Sequence, residues 1–312
     1  MTAGVMTDDE AAAYDEFGML KVYADYEGIP WEHPPEVERR SYAVAGGQRV
    51  SALAWGRTGP ELVLLHGAGQ NAHSWDSTAM ALDRPVLAID LPGHGHSDWR
   101  DDRDYSPQAN ARAVAEVLTQ AVPTGVGVVG MSLGGLTGIH LAARWPQLVE
   151  RAVIVDVSPG VGTRAGSMSN EQRGAAVLMA GPPTYASFEE MLKAAGAVSP
   201  GRDLETLRPG VLHNAKRLED GTWAWRYDRP GREGGIRRDP ALLWDDFAAI
   251  SGPVMLVRGA RSVFVHDDDE AKMRELQPGL RAESIEGAGH SVQSDRPVVL
   301  ATLIADFVAS NR

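Results

Sequence analysis

Short apolar runs recur along most of the chain, and longer stretches between them repeat their apolar positions every three or four residues. The runs predict strands at Ser41–Val44, Arg49–Trp55, Leu62–His66, Val86–Asp90, Val126–Met131, Ala152–Val157, Val254–Arg258 and Arg281–Ile285. The helical spacing predicts helices at Ala72–Leu82, Pro107–Val122, Leu133–Arg144, Asp268–Gln277 and Val298–Ala309. Apolar strands separated by amphipathic helices imply a mostly parallel sheet of these eight strands, covered by helices on both faces: an α/β fold. The first two strands lie too close together for a crossover helix and are expected to pair as a hairpin.

Two stretches break the rhythm. The segment 1–40 is expected to be an appendage, with one helix over Asp9–Tyr26 that carries Tyr14, Phe17 and Leu20 on a stripe. Gly28, Pro30, Pro34 and Pro35 end it. Between Pro159 and Asp239 glycines and prolines are frequent, with helical pieces near Glu171–Met179 and Phe188–Ala195 and the aromatic run Thr222-Trp-Ala-Trp-Arg-Tyr-Asp228. This stretch is expected to be an insertion after the sixth strand, which divides the chain into an extension (1–40), a core (41–158 and 240–312) and the insertion (159–239).

Gly130-Met-Ser-Leu-Gly134 lies where the fifth strand meets a helix. A serine on so sharp a turn is held in strained backbone geometry with its hydroxyl clear of the sheet, and flanking glycines avoid collisions across the turn. Ser132 is therefore a candidate nucleophile. The strand Leu62–Leu65 runs into His66-Gly-Ala-Gly69, whose backbone N–H groups are exposed by the turn. The N–H of Ala68 and that of Leu133 are candidates to hold an oxyanion. Gly287-Ala-Gly-His-Ser291 follows the last strand, and His290 is the candidate base for Ser132.

With these segments the chain resembles the α/β-hydrolase superfamily from Ser41 to Val308, including the loop Asp90-Leu-Pro-Gly-His-Gly-His-Ser97 that the family often carries after its fourth strand. The resemblance implies that the insertion is a helical cap roofing the substrate pocket. Met168, Met179, Met191, Trp223 and Trp225 are then candidate wall residues, with core packing of the cap as the plainer account of each. His73 and Trp75, just after the oxyanion turn, are candidates to face the pocket.

A serine–histidine pair needs a group that fixes the imidazole tautomer and supports the imidazolium. The family usually supplies an Asp or Glu after the seventh strand, but here Ser262 and Val263 stand in that place. Asp156, at the end of the sixth strand, is the expected replacement; some members of the superfamily, many haloalkane dehalogenases among them, draw their acid from there. The rival is the acidic run Asp267-Asp268-Asp269-Glu270, whose plainer reading is Asp267 as helix N-cap with further acids in the first turn.

The formal charge of −12 on 312 residues argues against nucleic acid or an anionic membrane as partner. With no cysteine, thiolate catalysis, disulfides and cysteine-bound metals are excluded. The acidic start lacks the pattern of a secretory signal, and no apolar stretch approaches a membrane span, so a cytoplasmic location is expected. Gly67-Ala-Gly-Gln-Asn-Ala72 also fits a dinucleotide fingerprint, with Asp90 closing the next strand; it leaves His66, the serine turn and His290 unexplained. His94 and His96 lack a third ligand at metal spacing and are expected to shape their loop. The expected function is a serine hydrolase acting through an acyl-enzyme on a small or medium ester, lactone or thioester, with no cofactor or metal. Carbon–carbon hydrolysis of a diketone-like compound is the nearest rival. A ligand-binding protein of the same fold that does not hydrolyse is the rival from another class.

Overall fold

The computed structural model describes residues 6–122, 124–161, 178–199, 202–229 and 240–310. In chain order its strands are β1 (Val37–Val44), β2 (Gln48–Trp55), β3 (Leu62–Leu65), β4 (Val86–Ile89), β5 (Val126–Met131), β6 (Val149–Val155), β7 (Ala215–Arg217), β8 (Trp223–Trp225), β9 (Val254–Gly259) and β10 (Arg281–Ile285). Its α-helices are α1 (Asp8–Ala12), α2 (Leu20–Glu27), α3 (Asp76–Leu82), α4 (Pro107–Ala121), α5 (Leu133–Arg144), α6 (Phe188–Ala197), α7 (Leu204–Asn214), α8 (Pro240–Ala249), α9 (Asp267–Leu276), α10 (Val292–Asp295) and α11 (Pro297–Ala309).

Eight strands form one sheet in the order β1-β2-β4-β3-β5-β6-β9-β10. Strand β2 runs antiparallel to both neighbours, and the remaining pairs are parallel. Successive residues of β3 face opposite ways: Leu62 and Leu64 join one buried cluster, Val63 and Leu65 the other. Helices α4, α5, α8 and α9 cover the second face, and α2, α3 and α11 the first. Each such fully buried leucine contributes roughly 1.5–3 kcal/mol relative to exposure. This alternation is why the strands read as unbroken apolar runs.

Element boundaries differ from expectation where a local contact outweighs the pattern. Strand β1 begins at Val37 rather than Ser41, because its register with β2 runs on to Val37 opposite Trp55; no residue of it is fully buried, so its apolar signal is weak. Strand β6 ends at Val155, since Asp156 adopts φ +50 and leaves the extended conformation. The single N-terminal helix is two, α1 and α2. Between them the Asp15 side chain accepts the N–H of Phe17 at 3.1 Å. The Asp15 carbonyl accepts that of Gly18 at 3.2 Å. Such a local turn competes with helix for the backbone. The helix expected over Ala72–Leu82 opens with a 3₁₀ turn, Ala72–Trp75. Helix α9 is capped by His266, and Asp267 is its first residue rather than its cap.

Between β6 and α8 the described residues form α6, α7 and the antiparallel pair β7–β8. Phe188, Met191, Leu212, Trp223 and Trp225 make a third apolar cluster there, which Ala11 of α1 joins. Met168 and most of the segment Glu171–Met179 lie outside the described residues. Among the described residues no helix is long and apolar enough to cross a membrane.

Candidate active site

The turn from β5 into α5 places Ser132 at φ +52 and ψ −114, a conformation costing on the order of 1–3 kcal/mol for a residue with a side chain. Its glycines have specific steric reasons. A Cβ on Gly130 would lie 2.2 Å from the carbonyl oxygen of Gly134, and one on Gly134 would lie 2.1 Å from that of Leu65. The Ser132 N–H is tied to the Val155 carbonyl (3.1 Å), which brings the serine beside the end of β6. A Cβ on Gly67 would sit 3.4 Å from the Ser132 Cβ, so the turn after β3 adjoins the serine as well.

Asp156 follows β6 directly and is fully buried. Its Oδ1 accepts the Gly259 N–H at 2.9 Å, and its Oδ2 accepts both the Ser262 hydroxyl and His290 Nδ1, the latter at 2.8 Å. Ser262, the residue standing where an acid was expected, thus hydrogen-bonds to the carboxylate expected to replace it. Phe264 stacks on the His290 ring, with centroids 3.5 Å apart and planes 10° from parallel. Neither this stacking nor the Ser262 bond was foreseen; the short spacing Ser262-Val-Phe264 after β9 was the available signal.

The rival acidic run points elsewhere. Asp267 and Glu270 bind Arg258 at 2.9 Å, Asp269 accepts the Ser158 hydroxyl at 2.8 Å, and Asp268 is exposed.

In the turn after β3, His66 is buried and its Nε2 accepts the Leu91 N–H at 2.9 Å. A neutral ring that accepts on one nitrogen carries its proton on the other. Nδ1 therefore donates, and its acceptor is the Gly67 carbonyl at 2.7 Å. Burial, reinforced by His94 alongside, pulls the His66 pKa down to about 3, so the ring is neutral. The Ala68 and Leu133 N–H groups have no hydrogen-bond acceptor among the described residues. Leu133 opens α5, where such N–H groups and the helix dipole favour an anion.

The remaining candidates are each packed into an apolar cluster or a polar network. Trp75 is buried in the cluster under α3 and α11, and Trp223 and Trp225 are buried in the third cluster with Phe188. His73 Nδ1 contacts Asp76 Oδ2 at 2.9 Å and its Nε2 contacts Glu16 Oε1 at 3.0 Å. Burial disfavours the charged ring, but Asp76 and Glu16 outweigh it and raise the His73 pKa to about 9. Arg39 joins this network, bridging Glu16 and Asp90, and was not anticipated from sequence. Asp90, the acid of the dinucleotide reading, is engaged by Arg39 (2.7 Å) and by the N–H groups of Ala72 (2.8 Å) and His96 (3.0 Å).

His73, Asp76 and His213 offer ligand atoms within 4.8 Å of one another, the one such group among the described residues. The two imidazoles stack with centroids 3.8 Å apart and planes 10° from parallel. A metal in the plane of one ring would lie out of the plane of the other, so the arrangement fits a stacked pair better than a chelate.

A twisted, mostly parallel sheet with a serine on a strained strand-to-helix turn and a carboxylate-bound histidine after the last strand defines the α/β-hydrolase class. The profile of the Alpha/beta hydrolase family matches residues 62–303, and the chain belongs to that family. It is 46% identical over 301 residues to the esterase Rv0045c of Mycobacterium tuberculosis, covering 96% of this chain and 98% of that one. A solved structure of that esterase superposes with a TM-score of 0.83 at 45% identity, covering 96% of this chain and 100% of the other. The chain is also 31% identical over 273 residues to the Xenopus laevis sn-1-specific diacylglycerol lipase ABHD11, covering 81% of this chain and 80% of that one.

Proposed function

We propose that the protein is a carboxylic ester hydrolase working through an acyl-enzyme on Ser132, with His290 as base and Asp156 as the acid that orients it. The observation carrying this reading is the 2.8 Å contact between His290 Nδ1 and a buried Asp156 whose other bonds are all accepted from donors. That contact favours the proton on Nδ1 and leaves the Nε2 lone pair to take the Ser132 proton. The serine oxygen then attacks the ester carbonyl carbon, and the N–H groups of Ala68 and Leu133 receive the negative charge that forms on the carbonyl oxygen. His290 passes its proton to the departing alcohol. A water deprotonated by the same ring next attacks the acyl carbon, and release of the acid restores Ser132.

Family membership and the esterase and lipase relatives support an ester over the diketone-like alternative. The non-hydrolytic reading rested on Ser262 in place of an acid, and loses its ground once Ser262 supports Asp156. The substrate class is a small or medium ester, lactone or thioester, and the location we propose is cytoplasmic. Intact-protein mass after exposure to a fluorophosphonate tests the assignment. One adduct on the wild type and none on Ser132→Ala is expected, with ester hydrolysis lost and the thermal midpoint unchanged. Hydrolysis retained by Ser132→Ala would remove Ser132 from the mechanism.

A further inference from the structure

The oxyanion turn is held partly by the inserted segment. In a trans peptide the N–H points opposite to the carbonyl of the preceding residue, so the direction of the Ala68 N–H follows from where the Gly67 carbonyl is held. That carbonyl accepts His66 Nδ1 at 2.7 Å and the Gln70 N–H at 3.2 Å, both from within the core. On the other side of Ala68, Gly69 adopts φ +73, in a region of backbone space open to glycine without steric cost, so its own torsions do little to hold the turn. The Gly69 carbonyl is held by a residue of α7: Asn214 Nδ2 donates to it at 2.5 Å.

Asn214 is itself seated from two directions. Its side-chain Oδ1 accepts Asn71 Nδ2 at 3.2 Å, and its carbonyl accepts the Arg226 N–H at 2.7 Å. Asn71 Nδ2 also reaches the His213 carbonyl at 3.1 Å, and the His213 ring is stacked on His73. Asn71 and Asn214 are both buried, so water competes little for these bonds.

We propose that Asn214 is a positioning residue for the oxyanion donor: by holding the Gly69 carbonyl it aims the N–H of the same peptide, that of Gln70, at the Gly67 carbonyl, and through that carbonyl it sets the direction of the Ala68 N–H, so turnover depends on α7 being docked on the turn. This rests on the serine-hydrolase reading above. Asn214 does not touch the reacting atoms; it acts through the backbone of residues 67–70.

Asn214→Asp is the sharpest test, because it keeps size and an acceptor for Asn71 while replacing the donor by oxygen facing an oxygen. The rate on p-nitrophenyl acetate is expected to fall roughly 10–100-fold in kcat with KM changed less than about threefold, a displaced donor costing less than a deleted one. Affinity for butaneboronic acid, which forms a tetrahedral adduct with the serine, should weaken by the same factor. Asn214→Ala, checked by its thermal midpoint, is read in the same way if the aspartate variant does not fold. A kcat and boronate affinity within about twofold of wild type, a change confined to KM, or a lower kcat without weaker boronate binding would each overturn the assignment. Ser132→Ala runs alongside: if it still hydrolyses the ester, the underlying reading fails whatever Asn214 does, whereas an inactive Ser132→Ala with an unaffected Asn214 variant refutes the positioning role alone.

Discussion

Replacing Asp156 with asparagine changes one oxygen to an NH₂ group in a site where every neighbour is a donor. If the amide oxygen takes the Oδ1 position, it still accepts from Gly259, and the NH₂ group then faces Ser262 and His290. The Ser262 hydroxyl can rotate to accept, but His290 can accept only by carrying its proton on Nε2 instead of Nδ1. That tautomer presents N–H rather than a lone pair to Ser132 and cannot remove its proton. If the amide is turned over, its NH₂ group meets the Gly259 N–H, a buried donor against a donor, which costs about 1–3 kcal/mol. The first arrangement therefore prevails, and the fold survives with the wrong tautomer. The expected loss in kcat is about 10⁴-fold, as in serine proteases where the same exchange leaves the geometry intact. Initial rates on p-nitrophenyl butyrate, with circular dichroism and thermal unfolding as controls, measure it. A folded Asp156→Asn within about tenfold of wild type would refute the tautomer argument and send the search for the acid back to Asp267 and Asp268.

Two predictions concern stability. A Cβ at position 134 would meet the backbone carbonyls of Leu65 at 2.1 Å and His66 at 2.8 Å, so Gly134→Ala should lower stability by about 3 kcal/mol or more, the upper range for overpacking; a urea midpoint equal to wild type would contradict the steric account of the serine turn. His73, raised to about 9 in the folded protein against about 6.5 unfolded, contributes stability that is complete below about pH 6.5 and lost as pH rises through about 9. The difference corresponds to about 3 kcal/mol; wild type should lose roughly that much between about pH 6.5 and 9.5 in urea titrations while His73→Gln does not, and parallel curves for the two proteins would rule the linkage out.

Much of the fold was legible because its signals are local. Unbroken apolar strands between amphipathic helices reflect a sheet buried on both faces, and the Gly130–Gly134 turn and His290 after the last strand are each recognisable from a few neighbouring residues, although the carbonyl that requires Gly134 belongs to Leu65 on another strand. What the sequence left unread at the site was decided by contacts between distant segments. Asp156 was favoured over the run at Asp267 for its place at a strand end, but the contacts that hold it were not legible, because its partner His290 lies 134 residues away and Ser262 lies 106 residues away. The serine that marked a missing acid is a hydrogen-bond donor to Asp156. Trp223 and Trp225 are buried with Ala11 of α1 and Phe188 of α6, a packing that the aromatic run alone does not announce. The N-terminal stripe that reads as one helix became two, each packed on a different cluster, because a turn at Asp15 offered the backbone alternative partners. Local order was thus set by the residues themselves. The proposed acid, its support and the clamp on the oxyanion turn were set by tertiary structure, since a hydrogen bond records which groups meet in space and leaves no periodic trace along the chain.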